Sequence, residues 1–180
     1  MKEHFPDQAI IFDSLEHVIT QKEILRASIK RTIDGYWSWF NAENTNIAEL
    51  RKVGMTKLHV SNIAPVIESR QSGESVLYYI LWKSHKTTFR KNIKKGNANT
   101  NSPSIQLHNH DSLKIKAMLN NKCSWDAKKA VSYESHFEYL RAGLKGLHEA
   151  EVRLRSAARK IQKISTQLSE SQPQEETHYD

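Results

Sequence analysis

The stretch SWDAKKAVSYESHFEYLRAGLKGLHEAEVRLRSAARKIQKISTQL, Ser124 to Leu168, decides how the chain folds. One position in it recurs every seven residues as Leu140, Leu147, Leu154, Ile161 and Leu168. A second row, Ala130, Phe137, Leu144 and Ala158, lies four residues after or three before the first, so both share one face at coiled-coil spacing. That row fails at Glu151 and Ser165, where Arg153, Arg155, Arg159, Lys160 and Lys163 crowd the flanks. Ser124 can accept a bond from one of the first unpaired amides, and Asp126 suits the positive end of the helix dipole. No proline follows until Pro173. The spacing predicts one helix over 124–168, whose stripe faces either a domain core or, as a dimerising zipper, a second copy.

A partner for that stripe stands at the other end of the chain. Asp7 can cap a helix whose apolar row is Ile11, Leu15, Val18, Leu25, Ile29 and Tyr36, widened by Ile19 and Ile33 and interrupted by Lys22 and Thr32. Asp34-Gly35 weakens helical propensity, so this helix is expected over about 8–34. Two such helices can pack antiparallel at a shallow angle, as a stalk with the intervening chain as its head; alternatively each lies on a sheet between them.

Between the helices the signals change. Tyr36, Trp37, Trp39 and Phe40 are read as a packing plug or as a platform for unpaired bases. Asn46 with Glu49 has reciprocal-cap spacing for a short helix ending at Gly54. Residues 47–63 admit a helix-turn-helix, but Pro65 and the alternating Leu58 and Val60 favour a strand. Gln71-Ser72-Gly73-Glu74 is turn chemistry. After it, Val76, Tyr78, Ile80 and Trp82 alternate with Leu77, Tyr79 and Leu81, which predicts a strand apolar on both faces at the middle of a small antiparallel sheet. The sheet region is placed at about 55–108, giving an α+β fold in a single domain over 1–170, with a polar, acidic, disordered tail over 171–180.

Trp82 opens a basic stretch. Lys83, Lys86, Arg90, Lys91, Lys94 and Lys95 fall within it, and no carboxylate occurs between Glu74 and Asp111, so these charges have no neighbour in sequence to neutralise them. With a turn at 83–86, Phe89 and Ile93 face inward on a returning strand while Lys86, Arg90 and Lys94 face outward. Such a basic hairpin suits phosphate contacts, with Thr87, Thr88 and Asn92 available for sugar or base edges; the plainer reading is an edge strand guarded by lysine. The six basic residues are the expected DNA-binding set.

Other chemistry is sparse. His108, His110 and Asp111 offer metal-ligand types but have no second cluster, so a metal-dependent nuclease ranks low and no metal or cofactor is expected. The chain has no phosphate-binding loop, nucleophile elbow or zinc-protease signature. A net charge of +7 favours acidic partners. The single cysteine, Cys123, excludes an intrachain disulfide framework, and with no signal core or membrane-length apolar run the expected location is cytoplasmic.

The order of the aromatic cluster at 36–40, the tract from Ile80 to Gly96 and the helix from Trp125 to Arg155 resembles the layout of MobI-type conjugative mobilisation proteins, over roughly residues 36–158. That resemblance implies a non-enzymatic DNA-binding accessory protein of a plasmid or other mobile genetic element, acting at an origin of transfer beside a relaxase that cleaves the strand. Expected partners are DNA, duplex or single-stranded, a relaxase or other transfer protein, and a second copy of the chain. The competing class is an adaptor whose heptad helix binds a partner helix while the basic tract keeps it soluble.

Overall fold

The computed structural model describes residues 6–55, 61–84, 112–123 and 125–170. Helix α1 runs Pro6–Lys52, strands β1 and β2 run Ile63–Ser72 and Ser75–Ser84, and helices α2 and α3 run Ser112–Lys122 and Ala127–Glu170. The architecture is α+β, with long N- and C-terminal helices and a two-stranded antiparallel sheet between them in sequence. Residues 85–111, which hold the expected DNA-binding residues other than Lys83, and the tail at 171–180 lie outside the described residues.

The first helix is longer than its sequence suggested. It passes through Asp34-Gly35 without a break and absorbs the short helix expected from Asn46. A mid-helix glycine costs about 1 kcal/mol relative to alanine, whereas each large side chain buried beside it returns about 1.5–3 kcal/mol. Ile33 and Tyr36 flank Gly35 and are buried, and Lys30 donates to Asp34 at 2.6 Å, so tertiary burial outweighs the local weakness. The merged helix stops at the glycine expected to end the short one. Gly54 takes φ +98, its amide donates to Arg51 O and the Met55 amide donates to Leu50 O, which closes the end with a Schellman motif.

The hairpin also follows its turn chemistry. Gly73, the first central residue, takes φ +59 and Glu74 does not take a positive φ, the pattern of a two-residue turn whose twist suits antiparallel strands. Pro65, opposite Trp82, is tolerated because each strand of a two-stranded ribbon has a free edge. Among the described residues β2 has one strand neighbour, β1, and helices cover its Trp82 and Ile80 face; the further strands expected after Lys83 to complete the small sheet lie outside the described residues.

Helices α1 and α3 pack antiparallel, as Lys22 meets Glu151 while Tyr36 meets Tyr133. The buried row of α3 is Ala130, Phe137, Leu144, Glu151 and Ala158, whereas Leu140, Leu147, Leu154 and Ile161 are only half-buried and Leu168 is exposed. The seven-residue leucine row is therefore the flank of the seam and not its centre. The place where the central row fails is filled by charge. Glu151 and Lys22, the two polar interruptions of their stripes, are each 3% exposed and form an ion pair at 2.6 Å.

The hairpin lies along the side of this helix pair, not at its end as a head. A polar row of α3, four residues beyond the buried row, reads along β2. Trp82 Nε1 donates to Glu134 at 2.8 Å, Arg141 Nε donates to Ile80 O at 3.1 Å, and His148 Nδ1 meets Ser75 Oγ at 3.1 Å. Arg155 reaches Glu74 at the turn at 3.4 Å. From Trp82 to Ser75 a strand spans about 23 Å, and from Glu134 to His148 a helix spans about 21 Å, so the contacts keep step.

The buried pair generates a prediction. Replacing Lys22 with Met leaves the buried Glu151 with the half-buried Arg155 as its one cation and should lower unfolding free energy by up to about 3–5 kcal/mol, while Lys22→Met combined with Glu151→Leu should restore most of it. Denaturant titrations of both variants check this; an undiminished single mutant contradicts the packing.

Candidate nucleic-acid interface

The basic tract is joined to the body at both ends beside one turn of α3. At its start, Trp82 packs on Phe137 with ring centroids 6.0 Å apart and on Tyr36 at 5.4 Å. At its far end, Ile115 and Leu119 of α2 enter the same core, and Lys116 donates to Glu138 at 3.2 Å. The charge is concentrated around these anchors. From Lys83 to Lys129 the sequence has eleven lysines and arginines against two carboxylates, Asp111 and Asp126, so the rest of the chain is slightly acidic although the whole carries +7.

One expected DNA contact is modified by its setting. Lys83 donates to Glu68 on the same face of the ribbon, so its charge is partly neutralised across the strands. Sequence distance concealed this, since the carboxylate lies on the other strand, well before the acid-free interval. Lys86, Arg90, Lys91, Lys94 and Lys95, with the returning strand expected to carry them, lie outside the described residues, as do His108, His110 and Asp111. Among the described residues no group of three His, Cys, Asp or Glu side chains is placed to hold a metal ion.

The aromatic cluster is a plug. Tyr36 and Phe40 are buried and Trp37 and Trp39 half-buried. Tyr36 contacts Trp39, Phe40, Trp82 and Tyr133, and Trp37 Nε1 donates to Pro65 O at 2.9 Å. Below it sits a polar clamp. Asn44 holds the backbone of Ser61 in both directions, at 3.1 and 2.8 Å, and Ser61 Oγ donates to Asp126 at 2.7 Å. Asp126 is buried at the start of α3, where its carbonyl accepts from the Ala130 amide. Tyr36 is pushed well above the ordinary phenol range by burial and then by Asp126. Cys123 is pushed up to about 12 by burial and Asp126, so it is a protonated thiol at neutral pH.

Among the described residues, reactive types converge around Ser75. Its Oγ lies 3.1 Å from His148 Nδ1, 2.7 Å from Glu151 and 3.1 Å from Lys22 Nζ. Burial raises the pKa of Glu151, but hydrogen bonds from Lys22, Ser75 and Arg155 outweigh it and hold the carboxyl below its usual range. An ionised carboxylate only accepts, so the one hydroxyl hydrogen of Ser75 goes to Glu151 and His148 must donate through Nδ1. A nucleophilic serine needs the reverse polarity, with histidine accepting its proton. The cluster joins three elements and does not activate Ser75.

Periodicity could have found this row. Glu134, Arg141, His148 and Arg155 recur every seven residues beside the apolar rows. Compared with protein-family models, with curated proteins and with solved structures, the chain has no match in any of the three. No helix among the described residues is long and apolar enough to cross a membrane.

The lowered carboxyl of Glu151 predicts an acid-dependent contribution to stability. Because its folded-state pKa lies below the unfolded value, that contribution is fully present above the ordinary carboxylate pKa and is lost as pH falls through the folded value. In paired denaturations, Glu151→Gln should be destabilised most at neutral pH and converge towards the parent as pH falls below about 4. A constant gap across that range contradicts the assignment.

Proposed function

We propose that the chain is a non-enzymatic DNA-binding accessory protein whose contact surface is the basic tract carried between β2 and α2. The observation that supports this best is the surplus of positive charge from Lys83 to Lys129 on an otherwise slightly acidic chain, joined at both ends to one turn of α3. Charge segregated in that way draws a polyanion to one region and gives little to folding. Lys86, Arg90, Lys91, Lys94 and Lys95 are the phosphate contacts in this reading, with Lys83 contributing less because Glu68 competes for it. The aromatic cluster is taken up by packing, which leaves backbone contact as the main mode and stacking as a minor one.

The likeness to MobI-type proteins supports placing this binding in conjugative DNA processing, at an origin of transfer beside a relaxase. A cytoplasmic setting belongs to the same reading, in keeping with the buried lone Cys123. The adaptor reading loses ground because the centre of the heptad helix is occupied internally by α1.

Neutralising Lys86, Arg90 and Lys94 to Gln should reduce the magnitude of the logarithmic salt slope by about three for duplex DNA, or about two for a single strand. The melting temperature should stay at the parent's value, since in this reading the three charges serve the anion and contribute little to folding. Binding titrations at several salt concentrations read the slope; parental affinity and slope in the triple mutant would overturn the proposal.

A further inference from the structure

The two faces of the ribbon differ in charge. Trp82 and Ile80 face the helices, and side chains alternate along a strand, so Leu77, Tyr79, Leu81 and Lys83 of β2 share the other face with Val66, Glu68 and Arg70 of β1. Glu68 is the one carboxylate in that set, and it is bound to the first lysine of the basic tract.

The arrangement of that pair is informative. Lys83 stands opposite Ala64, yet its Nζ donates to Glu68, four residues further along β1 and opposite Tyr79. Four residues of strand are about 13 Å, so the two side chains reach towards each other along the ribbon. The lysine therefore leans back towards the hairpin turn and away from the tract that begins after Ser84. It is weakly held there. Lys83 and Glu68 keep 18% and 38% of their side-chain surface exposed, and holding two long side chains in one arrangement costs entropy, so such a pair gives a preference of no more than about fivefold. Releasing the lysine does not strand the carboxylate. Glu68 remains in contact with water, and the exposed Arg70, which forms no ion pair with a described residue, stands two residues along the same face.

We propose that Glu68 is a built-in competitor for nucleic-acid phosphate: it holds Lys83 in the free protein and gives it up when a polyanion docks on the tract that begins there. This inference rests on the DNA-binding reading above and adds regulation of the same site. Phosphate accepts the same donor as a carboxylate, and lysine is a compact charge on a flexible stem, so Nζ exchanges one oxyanion for the other by side-chain rotation. Affinity then reflects the difference between two oxyanions for one ammonium. The coupling is reciprocal, so a bound polyanion loosens this tie between β1 and β2.

A double-mutant cycle in the full chain tests the exchange, with a fluorescently labelled DNA duplex of mixed sequence as the probe and titrations at several salt concentrations. Glu68→Gln should tighten binding about two- to fivefold. Lys83→Gln should weaken binding and reduce the magnitude of the logarithmic salt slope by about one. Added to Lys83→Gln, the Glu68→Gln change should have no further effect, because the carboxylate then has no lysine to withhold. Circular dichroism melts should place both single variants within about 4 °C of the parent, since a pair this weak gives little to folding. A gain that persists in the Lys83→Gln background overturns the proposal, because Glu68 would then act by general repulsion of the polyanion. Binding unchanged by Glu68→Gln overturns it as well and leaves the pair as a tie between strands. A parent that fails to bind the duplex at low salt removes the DNA-binding reading and this inference together, whereas a parent that binds without coupling in the cycle removes this inference alone.

Discussion

Three segments distant in sequence meet at the ion pair of Lys22 and Glu151, and the register of the whole structure follows from it. Each group sits in an apolar stripe at a position where a hydrophobic residue would have continued the seam. Burying one charge alone costs several kcal/mol, and sliding α1 past α3 by one turn would strand Lys22 and leave Glu151 to Arg155 alone. Ser75 completes the site by donating to Glu151 and accepting from Lys22, which fixes the hairpin turn to the same level. A Leu–Leu contact here could be at least as stable, yet it would be equivalent to its neighbours one heptad away; a single polar layer is not.

From that point the polar row of α3 carries the register upward. Glu134 takes two hydrogen bonds from Arg141 and one from Trp82, so a fully buried carboxylate is satisfied on both oxygens. Arg141 also reaches the backbone of β2, which turns one helix face into a ruler for a strand. This explains why a two-stranded ribbon, marginal by itself, is held: one face is covered by helices and its ends are tied by charge.

Much of this was legible in the chain. The heptad spacing placed α3, the Gly73 turn placed the hairpin, Gly54 marked a helix end although that of a separate short helix, and the aromatic cluster proved to be a plug. What could not be read were pairings. Glu151 reads locally as a defect in a stripe and Lys22 as an interruption, because neither signals a partner more than a hundred residues away. Asp34-Gly35 looked like a break, since propensity is local while the burial of Tyr36 that overrides it depends on Trp82 and Tyr133. Lys83 looked unneutralised because the antiparallel strand returns Glu68 to it from outside the acid-free interval. The leucine row drew the eye as a seam, yet residues with period seven lie on several parallel rows, and only the partner decides which is the centre.

The same distinction bears on function. A seam centred on the leucines would have left the charged row facing solvent, and the basic residues of α3 would then resemble a general polyanion surface. With the centre at Ala130, Phe137 and Leu144, Arg141 and Arg155 are committed inside the molecule, and Arg159 is paired at the hairpin turn. At the distal end of α3, Arg153, Lys160 and Lys163 form no ion pair with a described residue. The distal set lies beside the carboxylates of the first turns of α1, which run antiparallel to it in the same chain and offset its charge. From Lys83 to Lys129 eleven lysines and arginines stand against two carboxylates, a surplus that a polyanion from outside would balance in the proposed reading.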